Sequence, residues 1–347
     1  LLSAFHEMTL HPADSGVRST VLARAEALAA GFSETADGLE SLRADLLTRA
    51  RDVAAEVNTR LEQLAELDRQ IVQATGGGDT APDLRDRRDQ LVREVAERIG
   101  ARAIEDPRGG ITLFGGGAVL LDSGVAATVS VSLDPNGALR IESVRNGATT
   151  DLTASVDEGT LGGIREARDS DVTSVLAQLD AYAFEVANLF NGLHASGYGL
   201  DGGTGRPLFA PPAAAAGAAH AMALDPDLVG HPERLATASS ASDLPGGNDV
   251  AVALARAGQA TLAGGGTISE RFASMTGRIG VLRASTAGEE LLREDTVASA
   301  ATLRESVSGV STDEEMIRLQ QFQRGFEAST RVLRTIETLF DTLLGAF

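Results

Sequence analysis

The polar and apolar positions of the chain alternate with a helical period at both ends and with a shorter period between them. The first flank predicts a short helix from Arg18 to about Gly31 and a long one from about Glu34 to Ala74. Leu39, Leu42, Leu46, Val53, Val57, Leu61, Leu64 and Ile71 make the apolar stripe of the second, which would extend about 60 Å at 1.5 Å per residue. GGGDTAP stops it, and Asp83 to about Ile99 predicts a further helix that opens on the charged run DLRDRRD. From Ala101 to about Thr153 the period shortens. ITLF, AVLL, ATVSVSL and LRIESV are β-branched runs separated by GGG, DSG and DPNG, the pattern of an antiparallel β subdomain. Leu161 to about His194 is helical again, with Val175, Leu179, Tyr182, Val186 and Phe190 on one face. GYGLDGGTGRPLFAPP predicts loop or irregular β, and Ala218 to Pro245 one or two short strands with turns.

The second helical flank starts near Asp249. Ile268, Phe272, Met275, Ile279 and Leu282 form a heptad run, which weakens from Thr286 to Arg293 and resumes at Val297, Ala300, Leu303 and Val307. SGVSTDEE then opens a last helix, with Ser311 and Glu314 spaced as a capping box and acids at the positive end of the helix dipole. Its apolar seam steps by three and four in turn: Leu319, Phe322, Phe326, Ser329, Leu333, Ile336, Phe340, Leu343, Phe347. Only Ser329 breaks it. So regular a seam, running to the last residue, suits a helix–helix contact with other subunits better than irregular packing in the chain's own core.

Proline placement supports this division. None lies between Pro12 and Pro82 or after Pro245, and the middle holds the other seven together with many of the glycines. The pattern predicts an α+β fold: an elongated, long antiparallel helical bundle from the N- and C-terminal segments with an inserted β-rich domain. The expected divisions are 1–100, the N-terminal helical part; 101–160, a β-rich subdomain; 161–195, a helix packing on the bundle; 196–248, a loop and β-rich segment of the outer domain; 249–310, the C-terminal helical part; and 311–347, an assembly helix.

Composition narrows the chemistry. The 347 residues are 43% hydrophobic but only 4% aromatic, so packing rests on Ala, Leu and Val. A net charge of -19 disfavours nucleic acid and anionic membranes as partners. All 30 bases are Arg, as a GC-rich genome would give. The absence of cysteine excludes disulfides, thiolate catalysis and Cys-ligated zinc. No apolar run reaches the ~18 residues of a membrane span, and the opening LLSAFHEMTLHPADSG lacks the basic region and apolar core of a secretory signal. The chain starts at Leu1 without Met, which reads as a fragment.

Catalytic and metal motifs are missing. His6, His11, His194, His220 and His231 show neither HExxH nor HxxxH spacing and read as surface or packing residues. No nucleophile elbow accompanies the serines, FGGGAV and DGGTGRP lack a following GK[ST], and Asp201 lacks the alternating acids of a calcium loop, so these glycine-rich stretches read as turns. DLRDRRD reads as a solvated face with i,i+4 pairing. Nothing here implies an enzyme, a metal or a cofactor.

With seam, cap and insert in view, the chain resembles the FlgK family of flagellar hook-associated proteins. SGVSTDEEMIRLQQFQRGFEASTRVLRTIETLFDTLL is similar to that family's C-terminal signature, in which Gly309, Val310, Ser311, Asp313, Glu314, Glu315, Phe322, Gln323, Ala328, Leu343 and Leu344 fit position by position. Phe326 stands where Tyr is usual. DLRDRRDQLVREVAERIG resembles the family's Asp-Gln-Arg-Asp helix, with Arg87 in place of Gln, and GTLGGIREARD and NGLHASGYGLDGGTGRPLF are similar to further segments. The hook and rod proteins share the C-terminal signature in looser form. The family carries additional N-terminal residues, including a helix that pairs with the C-terminal one.

The resemblance implies a non-enzymatic axial protein, exported unfolded without a cleaved signal and located outside the cell. It would assemble as a ring between hook and filament, with hook protein and other hook-associated proteins as neighbours. An export chaperone would cover the C-terminal region beforehand, with Leu319, Phe322, Phe326, Leu333, Ile336, Phe340, Leu343 and Phe347 as the contact residues. The competing readings are another axial protein, hook-associated or flagellin-like; an extracellular adhesin or hydrolase on a helical stalk; and, against its Gly- and Pro-rich middle, an intracellular coiled-coil signalling protein.

Overall fold

A computed structural model of the chain describes residues 1–78, 80–308, 316–324, 326, 327 and 329–331. Two compact units divide it, one spanning Leu1–Thr276 and the other starting at Gly277. The class is α+β.

Helix α1 (Leu2–Leu10) leads into α2 (Ser15–Gly76), a single helix of 62 residues. Asp14 caps α2, its carboxylate accepting from the N–H groups of Gly16 at 2.7 Å and Val17 at 3.0 Å. These bonds favour the ionised form and hold the Asp14 pKa below its usual value. The break expected between Gly31 and Glu34 does not occur. A helical glycine costs only about 1 kcal/mol, and Ala29, Phe32 and Ala36 on either side are anchored in a core. Burial of their faces outweighs the local penalty.

Helix α2 serves two cores in succession. Its first half buries Val21, Leu22, Ala25, Ala29, Phe32 and Ala36 against α1, α5 (Thr173–Ala195), α6 (Asp249–Arg256) and the chain between α5 and α6. Ile268 and Met275, in the first turns of α7 (Ile268–Ser308), pack on the same core. Helices from both flanks of the sequence therefore share it, as the pattern predicted. The second half of α2 buries Ala50, Ala54, Val57, Leu61 and Leu64 against α3 (Pro82–Ile99), α4 (Gly159–Arg165) and two sheets. Between the halves the expected stripe thins out: Leu39 and Leu46 are half-buried and Leu42 is exposed.

The β region holds seven strands, more than the four runs read from the pattern. β1 (Arg102–Glu105), β2 (Ile111–Gly115), β3 (Ala118–Asp122) and β4 (Val125–Ala126) form an antiparallel meander. β5 (Thr128–Leu133), β6 (Leu139–Arg145) and β7 (Ala148–Asp151) form a second. Asn146 at φ 51° and Gly147 at φ 79° make the tight turn before β7, an Asn-Gly hairpin signal. Helix α2 holds both sheets by side-chain bonds to their backbones. Asn58 takes the N–H of Val129 at 2.7 Å and donates to its carbonyl at 2.8 Å, and Asp68 accepts from Ile111 N–H at 2.7 Å.

DLRDRRD is not wholly a solvated face. Asp83, Asp86, Arg87 and Asp89 are exposed, but Arg88 is buried, donating to Gly109 O at 2.8 Å and to Glu105 at 2.8 Å. Arg85 pairs with the same Glu105. The helix uses these guanidinium groups to bind the β1–β2 connection.

Residues 161–195 are not one α-helix. Between α4 and α5 a π-helical stretch spans Glu166–Val172. Its wider turn places Arg168 against the carbonyls of Arg43 (3.1 Å) and Gly137 (2.9 Å), beside Asp169, which accepts from Leu139 N–H at 2.8 Å. The short strands expected within 218–245 are also absent among the described residues. The 196–248 segment has only isolated bridges, such as Tyr198 with Ala238 and Phe209 with Leu224. Six prolines in it lack the N–H that a ladder requires.

Candidate assembly site

The apolar seam of the C-terminal flank begins on the first core. Ile268 and Met275 pack there, the Tyr182 hydroxyl donates to Ile268 O at 3.1 Å, and the Tyr182 and Phe272 rings lie 6.4 Å apart. Among the described residues from Gly277 onward, in the second unit, the large apolar side chains stand in the open. Val281 (70%), Leu292 (69%), Val297 (69%) and Leu303 (68%) present most of their surface. Large aliphatic side chains in a folded subunit are rarely left so exposed in series, and such runs mark contact surfaces.

The described part of the final seam has the same character. Residues 316–324 are helical, as are 326, 327 and 329–331. Leu319 (57%), Phe322 (80%) and Phe326 (75%) are exposed, and so are Met316 and Ile317. The three- and four-residue steps put Leu319, Phe322 and Phe326 on one helix face. Leu333, Ile336, Phe340, Leu343 and Phe347 lie outside the described residues, as does the Ser311–Glu314 capping box.

The grooves of the first unit carry little that could do chemistry. One is lined by Ile99, Gly100, Arg102, Ile104, Phe114, Ser155, Asp157 and Glu158, beside edge strand β1. Another is lined by Asp68, Arg69, Asp106, Arg108 and Asp122. No histidine lines either. Among the described residues no group of three His, Asp or Glu is placed to hold a metal ion. Asp201 sits in a turn, accepting from Gly203 N–H at 3.0 Å and pairing with Arg206 at 2.7 Å, and the arginine holds its carboxyl below the usual range.

Of the histidines, His6 and His11 are on the surface, His220 contacts Asp37, and His231 lies 2.9 Å from Glu233. His194 is a packing residue, but also a buried polar node that no local pattern marked. Its Nδ1 lies 2.7 Å from Arg206 O, and its Nε2 accepts from Ala236 N–H at 2.9 Å. Burial lowers its pKa to about 4.

A buried arginine near it was equally invisible in the sequence. Arg18 is 0% exposed and donates to the carbonyls of Pro12 (2.6 Å), Pro232 (3.2 Å) and Leu235 (2.6 Å) and to Thr237 Oγ1 (3.0 Å). All four acceptors are neutral oxygens. Burial lowers its pKa to about 10, so it remains a cation at neutral pH.

Comparison with known proteins follows the same division of the chain. The model of the flagellar hook-associated protein FlgK helical domain matches residues 1–209. The model of the flagellar basal body rod FlgEFG protein C-terminal region matches residues 304–346. Flagellar hook-associated protein 1 of Bacillus subtilis is 24% identical, over 99% of this chain and 74% of its own length. The protein of the same name from Escherichia coli is 23% identical, over 95% and 77%. That of Salmonella typhimurium is 28% identical, over 56% of this chain and 37% of its own. The structure of the flagellar hook junction protein FlgK from Burkholderia pseudomallei matches with a TM-score of 0.55 and 25% identity, over 60% of this chain and 39% of that one. The helical-domain match spans α1 through the start of the segment after α5, which includes the whole second core and the α1, α2 and α5 side of the first, and on that match the chain belongs to the FlgK family of flagellar hook-associated proteins.

Proposed function

We propose that this protein is a structural subunit of the bacterial flagellum that joins hook to filament, and that its C-terminal helix forms the contact with neighbouring copies. Family membership supplies the flagellar setting. The observation that carries the contact is the series of exposed apolar residues from Val281 to Leu303, on a helix that starts from an anchored core, together with exposed Leu319, Phe322 and Phe326. Leu333, Ile336, Phe340, Leu343 and Phe347 continue that seam by their spacing. Covering it removes apolar surface from water at roughly 25 cal/mol per Å². That gain is available only where partners stand in place, so assembly is favoured at a growing tip.

On this reading the subunit acts by packing and not by catalysis. It forms a ring, its neighbours are hook protein and other hook-associated proteins, and an export chaperone shields the same seam before assembly. It leaves the cell without a cleaved signal. The match of the rod-type C-terminal model to 304–346 fits a seam that axial proteins share. The FlgK helical-domain match over 1–209 favours the hook-associated assignment over another axial protein.

The test is electron microscopy of cells carrying Phe322→Glu with Phe326→Glu. Hooks without filaments, with the purified variant keeping the wild-type melting temperature, are the expected result. Normal filaments would overturn the seam's role.

A further inference from the structure

The 196–248 segment has almost no regular structure, yet it contributes Leu208, Phe209, Leu228 and Leu235, each 0% exposed, to the first core. Side chains on neighbouring helices hold its backbone. On α5, Asp180 accepts from Gly217 N–H (2.8 Å) and Ala219 N–H (3.0 Å), and Asn191 binds Leu208 and Phe209. On α2, Arg18 binds the Pro232–Thr237 stretch. Asn248, at the segment's end, donates to Thr9 O of α1 at 2.7 Å. His194, near the end of α5, ties two distant parts of the segment, Arg206 and Ala236, with one ring.

That geometry fixes the tautomer. Arg206 O can only accept, so Nδ1 carries the proton; Ala236 N–H can only donate, so Nε2 must present its lone pair. A proton on Nε2 would leave two N–H groups pointing at each other. The surroundings do not favour a second positive charge either. Arg18 from α2 already places a cation among neutral oxygens one residue away from Ala236. Arg206 and Asp225 from the segment also face the imidazole, with opposite effects, while Glu233 acts on Arg18. Helix α6 brings Val250 toward Gly197 and Ala236, and its Asp249 is already bonded to Ser239 N–H.

We propose that His194 makes the 196–248 segment an acid-releasable strap: protonation of Nε2 breaks its bond to Ala236 and frees the strap from helices that stay folded. Release uncovers Leu208, Phe209, Leu228 and Leu235. The sign follows from burial. The ring holds a proton less readily in the closed strap, where its pKa is about 4, than in the open one, where it returns toward 6.5. Closure is therefore fully supported above pH 6.5 and weakens as pH falls towards 4.

Hydrogen exchange of the full chain, followed by mass spectrometry and corrected for intrinsic rates, tests this. Between pH 7 and pH 4.5, protection of peptides covering 198–237 should fall roughly fiftyfold, while α2 peptides covering 21–36, on which the strap packs, stay protected. His194→Gln cannot take the proton, and in it the strap should change less than about threefold over the same range. Three outcomes would overturn the proposal. The variant could lose protection as the wild type does, which would assign the effect to Asp180 or Asp225. Strap and α2 could open together. The wild-type strap could stay closed throughout. If the variant does not fold, NMR titration of the His194 ring in the wild type decides. Titration below pH 5, together with strap opening, is expected, and titration near 6.5 in a closed strap would contradict the proposal.

Discussion

At the scale of single residues, the fold depends on polar side chains buried against irregular backbone. Arg18 is the extreme case, with a fully buried guanidinium spending its donors on three carbonyls and a hydroxyl. Arg18→Met would leave those oxygens without a donor and should lower unfolding free energy by about 3 kcal/mol. Arg18→Lys should still cost about 2 kcal/mol, because an ammonium cannot span the fork of acceptors. Urea midpoints at unchanged slope measure both, and a loss below ~0.5 kcal/mol for Arg18→Met would show that the node is not structural. Nothing in the sequence around Arg18 separates it from the other arginines. Its role comes largely from residues more than two hundred positions away, and that of His194 comes in part from Ala236, 42 positions away. Local pattern reports which face of an element is apolar, but not which polar side chain will meet a distant carbonyl.

At the scale of elements, strong periodicity was legible and exceptions to it were not. α3, the β region and the start of α7 lie where the pattern put them, because Pro82, the glycine turns and the Ile268 heptad are local signals. The Glu166–Val172 π-helix left no mark, since EARDSDV has ordinary helical propensity and the wider turn serves Arg168 and Asp169 in three dimensions. The continuity of α2 through Gly31 was misread for the same reason. Local propensity counts against glycine, whereas tertiary burial of Ala29, Phe32 and Ala36 decides the outcome. A Cβ at Gly31 would meet nothing within 4 Å. Gly31→Ala should therefore stabilise the first unit by about 0.5–1 kcal/mol, a rise in melting temperature of about 1–3 °C. A fall would mean that the helix is interrupted there.

At the scale of the molecule, two cores threaded by one helix explain how a chain with so few aromatics holds a large folded unit, and they account for nearly every apolar stripe in the first 276 residues. The stripe they leave unused is the one that pointed to function. Its spacing was plain in the sequence, but spacing cannot say whether a seam is covered from within or by another subunit. Exposure of Leu319, Phe322 and Phe326 is the structural observation that favours another subunit. The direct measurement is hydrogen exchange of peptides covering 316–324 in the isolated monomer and in the same protein bound to purified hook ends. The account predicts fast exchange in the monomer and slowing of about a hundredfold or more on the hook. Strong protection already present in the monomer, unchanged on binding, would contradict it.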